Sequence, residues 1–125
     1  MIKEEEMNNK EFGKELEKRT KIFAISIIKL SSSLPFTPEG KVVRNQITKS
    51  GTSVGANYRE ANRARSKADF TNKIKICESE ASETAYWLEI IDELNWSKTQ
   101  NLQVILSEAN EILAIFTSVA TKLKL

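Results

Sequence analysis

Helix breakers gather at three places in this chain, and between them apolar residues recur at alternating intervals of three and four. Leu34-Pro-Phe-Thr-Pro-Glu-Gly40 is the first break. In it Thr37 suits an N-cap, Pro38 the first helical position and Glu39 the positive end of a helix dipole. Ser66-Lys-Ala-Asp69 reads as a capping-box-like start, with Asp in place of the usual Glu. Ser97-Lys-Thr-Gln100 is a further capping box, behind Asn95-Trp96. The punctuation predicts helices over about 9–33, 38–64, 67–94 and 98–123, each roughly 40 Å long. Short connections force neighbours to be antiparallel. The expected fold is therefore all-α, an up-down-up-down four-helix bundle over residues 11–125. Residues 1–10 are expected to be a flexible leader.

The apolar stripes have the period that such a bundle needs. The first helix presents Phe12, Leu16, Phe23, Ile27, Leu30 and Leu34. The second presents Val43, Ile47, Ser50, Val54, Asn57, Ala61 and Ala64. The third presents Phe70, Ile74, Cys77, Ala81, Thr84, Leu88 and Ile91, and the fourth Leu102, Leu106, Ala109, Leu113, Phe116, Ala120 and Leu123. In the fourth helix Ile105, Ile112 and Val119 widen the core-facing stripe. In the third, Ile76, Trp87, Ile90 and Leu94 lie too far round the helix for the same core, and they are read as an oligomer interface.

Composition removes several classes of function. The chain has no histidine, so no imidazole can act as a base or hold zinc or a di-iron centre. No Gly-rich phosphate loop appears. Carboxylate-only catalysis stays open in principle, but the expectation is no catalytic residues, no metal ligands and no cofactors. One cysteine, Cys77, precludes an internal disulfide and fits a reducing cytoplasm. No run of apolar residues reaches the roughly 18–20 of a membrane span, and no signal peptide or membrane partner is expected.

Charge is unevenly placed. Residues 41–75 hold nine basic and two acidic side chains, whereas residues 76–125 hold three basic and eight acidic. Arg44, Lys49, Arg59, Arg63, Arg65, Lys67, Lys73 and Lys75 form a candidate nucleic-acid-binding set, whose phosphate contacts would be salt-dependent and weakly sequence-specific. An acidic protein partner is an equal reading of the same charges.

The stretch GTSVGANYREANRAR, residues 51–65, combines that charge with residues that helices disfavour. Each glycine costs about 1 kcal/mol relative to alanine, and close helix approach is the usual reason to tolerate it. Either a helix of the same bundle or a second subunit crosses there, and Gly51 and Gly55 join the candidate interface residues. Asn57 falls in core register. With Ser53, Glu60, Ser82 and Glu83 it is read as a structural polar network that sets helix register.

The run Ser53-Val-Gly-Ala-Asn57-Tyr-Arg-Glu60-Ala61, then Lys67-Ala-Asp-Phe70, then Cys77-Glu-Ser-Glu-Ala-Ser82-Glu83-Thr84 and Trp87-Leu88, resembles four-helix-bundle proteins encoded in intervening sequences of bacterial 23S ribosomal RNA genes. The accessory variability protein of diversity-generating retroelements belongs to the same family. Ala61 stands where members commonly carry glycine. The resemblance implies a homopentameric ring of bundles without known catalysis. For the retroelement branch it also implies binding to a reverse transcriptase and nucleic acid. The functional expectation is a non-enzymatic, cytoplasmic bundle that associates with itself and binds RNA or DNA. The alternative is a protein-interaction scaffold, such as an accessory protein for a retroelement reverse transcriptase.

Overall fold

The computed structural model describes residues 4–97 and 100–124. Within them four helices follow one another: α1 (Glu4–Ser32), α2 (Pro38–Ala61), α3 (Lys67–Glu93) and α4 (Gln100–Leu123). α1 starts about one turn earlier than the sequence pattern suggests, inside the stretch expected to be a leader. Residues 1–3 of that stretch lie outside the described residues, as do residues 98–99 of the Ser97–Gln100 capping box.

The other helix ends follow from local chemistry. Thr37 Oγ1 accepts the Gly40 N–H at 3.0 Å, and Pro38 occupies the start of α2, where a missing N–H costs nothing. Ser66 Oγ accepts the Asp69 N–H at 3.1 Å to open α3. α3 ends in a Schellman motif. Asn95 takes φ 55°, its N–H reaches Asp92 O at 3.1 Å, and the Trp96 N–H reaches Ile91 O at 3.2 Å. Asparagine is among the few residues other than glycine that enter this left-handed region readily. Trp96 then folds against the core.

Packing runs α1 on α2, α2 on α3 and α3 on α4, with α1 against α4 the sparsest pairing. Phe23, Ile27, Ile47, Val54, Ile74, Leu88, Ile91, Ile112 and Phe116 are buried in one continuous core. Tyr58 and Phe116 meet edge to face across it, ring centroids 5.4 Å apart. Arg19 closes the α1–α4 seam. Its Nε and Nη2 donate to the two Glu108 oxygens at 2.7 Å each, and Nη2 also reaches Glu111 Oε1 at 3.0 Å. A forked guanidinium on a carboxylate is the geometry that gives an ion pair directional strength.

Several stripe positions differ from expectation. In α2 the core position after Val54 belongs to Tyr58, not Asn57, which is only half-buried. From Val54 the buried intervals are four and then three, to Tyr58 and Ala61, so the stripe takes Tyr58 in place of Asn57 and returns to the expected register at Ala61. Phe12 is 46% exposed, because α1 and α4 leave a gap at that end of the bundle. Ala64 is half-buried and lies beyond α2. Thr20 is fully buried on α1, its hydroxyl donated to Leu16 O at 2.8 Å. In α4, Ile105 and Ile112 are buried, while Leu106, Leu113, Val119 and Leu123 pack partly against the core. Residues 101–123 are long and apolar enough to cross a membrane by composition. In this fold the buried side chains of that helix serve the bundle core.

Candidate functional site

The basic residues do not form a single patch. Arg44 lies at the end of the bundle where α2 begins. Its guanidinium donates to Pro35 O and stacks 4.4 Å from the Phe36 ring centroid, so it staples the α1–α2 connection. Lys49 sits toward α3, close enough to Glu80 to favour that carboxylate's charged form. The remaining members cluster at the opposite end. Arg59 closes α2, Arg63 and Arg65 are exposed in the connection, and Lys67 opens α3. Lys73 and Lys75 follow on the first turns of α3, half-buried and exposed respectively. Arg44 and Arg59 are separated by roughly 22 Å of helical rise. Adjacency in the sequence had grouped them, and the helix separates them.

At the Arg59 end, α1 contributes to the surface as well. Glu17 Oε1 lies 3.7 Å from Arg59 Nε, and Glu17 Oε2 accepts the Asn62 side-chain N–H at 2.8 Å. Beside this pair Lys21, Arg59 and Arg63 rim a hollow of about 470 Å³ between α1 and α2. Lys21 was missed in the sequence because residues 1–40 balance seven basic against seven acidic groups. Helical spacing along Lys10, Lys14 and Lys21 was the signal that could have found it.

The two glycines pack within the chain. A Cβ on Gly51 would lie 2.7 Å from Ile27 Cγ2, and one on Gly55 would lie 3.2 Å from the Thr20 backbone. Both positions let α2 close on α1 of the same chain, the first of the two readings that their spacing allowed.

Nor do the five polar residues join into one network within the chain. Ser53 Oγ donates to Lys49 O at 2.6 Å and Asn57 Nδ2 to Ser53 O at 2.8 Å, so both bond along their own helix. Glu83 accepts the Trp87 indole N–H at 3.2 Å. Glu60 and Ser82 are exposed. Glu80, absent from the sequence-derived set, faces α2 between these groups. Burial raises its pKa, Glu83 raises it further, and the Ser53 hydroxyl and Lys49 oppose the shift. Among the described residues two polar contacts do cross between α2 and α3 in the core: Ser50 and Thr84 meet at 3.0 Å, and the Cys77 thiol donates to Val54 O at 3.5 Å.

On the outer face of α3, Ile76 is 41% and Leu94 50% exposed. Ile90 is half-buried and Trp87 packs partly on the core, its ring 5.1 Å from that of Tyr86. Cys77 is buried, and that burial pushes its thiol up to about 12. Among the described residues no group of three or more Cys, Asp or Glu is arranged to hold a metal ion.

A short-looped antiparallel four-helix bundle with one cationic end and a glycine-tightened α1–α2 pair is the class of protein that this fold defines. More narrowly, the chain belongs to the 23S rRNA-intervening sequence protein family, whose model matches residues 14–118. It is also similar to a crystal structure from Bacteroides thetaiotaomicron, described as a protein of unknown function from the S23 ribosomal protein family. The two share 36% identity with a TM-score of 0.77, over 84% of this chain and 97% of that one. Comparison with curated proteins finds no match.

Proposed function

We propose that this chain is a non-enzymatic, cytoplasmic, self-associating bundle that binds RNA or DNA through its cationic end. The observation that carries this reading is the state of the cations where α2 meets α3. Arg63, Arg65, Lys67 and Lys75 are exposed, and none of them forms an ion pair among the described residues. Unpaired cations gathered in the short α2–α3 connection and along the start of α3 attract polyanions, and releasing counterions from the phosphates supplies the binding free energy. A ring of five copies, which the family resemblance implies, would repeat this end and multiply its field. The test is filter binding of a structured RNA at 50 and 200 mM salt. Binding that weakens steeply with salt supports the reading, and no binding at low salt defeats it.

The exposed Ile76, Tyr86 and Leu94 on α3 favour a second reading, a scaffold for other proteins such as a reverse transcriptase. Solution mass with and without an Ile76→Lys substitution distinguishes what this face holds. A fall in mass assigns it to self-association, while an unchanged oligomer leaves the face free for a different protein.

A further inference from the structure

We propose that the hollow between α1 and α2 is a seat for one phosphodiester of the bound nucleic acid, with Lys21, Arg59 and Arg63 as its ligands. This rests on the nucleic-acid reading above and says where on the molecule the strand is gripped.

The shape comes from small residues. Gly55 lies against the Thr20 backbone and draws the two helices together, while Ala24 and Ala56 line the hollow without long side chains. Cations therefore stand around a floor that leaves space, about 470 Å³, for a ligand group. The volume is within the range of ~300–1,000 Å³ common to small-ligand sites.

The charges select the ligand. Three cations and two carboxylates, Glu17 and Glu60, line the hollow, an excess of one positive charge. A phosphodiester carries one negative charge and balances that excess, whereas a terminal phosphate dianion exceeds it. Glu17 is committed to Asn62 and to Arg59 Nε. Its Oε1 stands 3.7 Å from Arg59 Nε, while the two terminal nitrogens of Arg59 make no protein hydrogen bond among the described residues. The Arg59 side chain remains 59% exposed. A guanidinium fork in that state can take two phosphate oxygens at once. Lys10 and Lys14 precede Lys21 by eleven and seven residues on α1, both exposed. That spacing returns to the same helix face, so a strand leaving the hollow continues along cations.

The experiment uses the full chain and a structured RNA hairpin, titrated by filter binding between 50 and 200 mM salt. Lys21→Ala, at an exposed position, is expected to weaken binding about 3- to 10-fold at the lower salt and to reduce the salt slope by about one. Arg44→Ala, whose guanidinium serves Pro35 and Phe36, is expected to leave affinity unchanged. Glu17→Gln is expected to tighten binding by removing a repulsive charge. Inorganic phosphate should compete no better than chloride at equal ionic strength; strong competition would make the site one for free phosphate and overturn the assignment. Wild-type binding with an unchanged Lys21→Ala affinity and slope would overturn the seat alone and leave the broader reading standing. No wild-type binding at low salt would overturn both.

Discussion

Thr84 Oγ1 lies 3.0 Å from Ser50 Oγ in the middle of the apolar core, where it joins α3 to α2. Thr84 also reaches Glu80 O at 2.7 Å, whereas the other bond of Ser50, to Ile47 O, is long at 3.4 Å. The two hydroxyls are therefore unequal. Ser50→Ala leaves Thr84 satisfied and should cost about 1 kcal/mol. Thr84→Val leaves the buried Ser50 hydroxyl with only its long bond and should cost more, about 1–3 kcal/mol. Replacing both should cost less than the sum. Urea denaturation of the three variants measures the coupling, and strictly additive costs would show that the pair does not act together.

Gly51→Ala tests the α1–α2 closure. Helix propensity alone predicts a gain of about 1 kcal/mol. The added methyl would, however, stand 2.7 and 2.9 Å from two carbons of Ile27, itself fully buried. A β-branched side chain in a filled core has little room to turn away. Overpacking should win, with a net loss of about 1–3 kcal/mol. Combining it with Ile27→Ala should cost less than the two single losses together. A Gly51→Ala variant with unchanged stability but altered solution mass would place the glycine at a subunit interface instead.

These two sites show what can be read from residues alone. Thr37, Pro38 and Ser66 mark helix ends through bonds to their own near neighbours, so the boundaries were legible. The pairing of Gly51 with Ile27 depends on which helix lies across from α2, and spacing within α2 holds no information about that. Asn57 and Tyr58 exchanged roles because a one-residue difference in the stripe decides which of two neighbours faces inward. Arg44 was grouped with Arg59 because a count along the chain cannot see the length of a helix. Lys21 was hidden because the seven acidic and seven basic groups of residues 1–40 sum to zero, and a sum holds no information about which helix face each charge occupies.

Cys77 should be chemically silent while the bundle is folded. Its thiol is buried, and desolvation raises its pKa to about 12 from an ordinary 9.0. A thiol reagent at pH 8 should therefore modify the native protein no faster than it unfolds, and label it fully in denaturant. Because the folded pKa lies above the unfolded one, the stabilisation is complete below pH 9 and is lost as pH rises toward about 12. Cys77→Ala should remove this alkaline sensitivity. Rapid native labelling at pH 8 would mean that the α2–α3 contact opens locally without global unfolding.

Glu80 makes the opposite region of pH informative. It faces α2 beside Glu83 of its own helix, with Lys49 and Ser53 across from it. Burial first, and Glu83 second, raise its pKa above the ordinary 4.5, so its charged form is less favourable in the folded chain than in the unfolded one. The folded state then binds more protons, and this group's contribution to stability falls as pH rises. The contribution is complete below pH 4.5 and is lost on passing the raised folded value. Glu80→Gln keeps the volume and removes the charge, so it should stabilise the protein at pH 7. The difference from wild type should shrink on acidification and vanish below about pH 4.5. Melting curves of both proteins from pH 4 to 8 measure it. A variant less stable than wild type at pH 7 would show that the attraction of Lys49 outweighs burial and Glu83, and that the carboxylate is a net tie between α2 and α3.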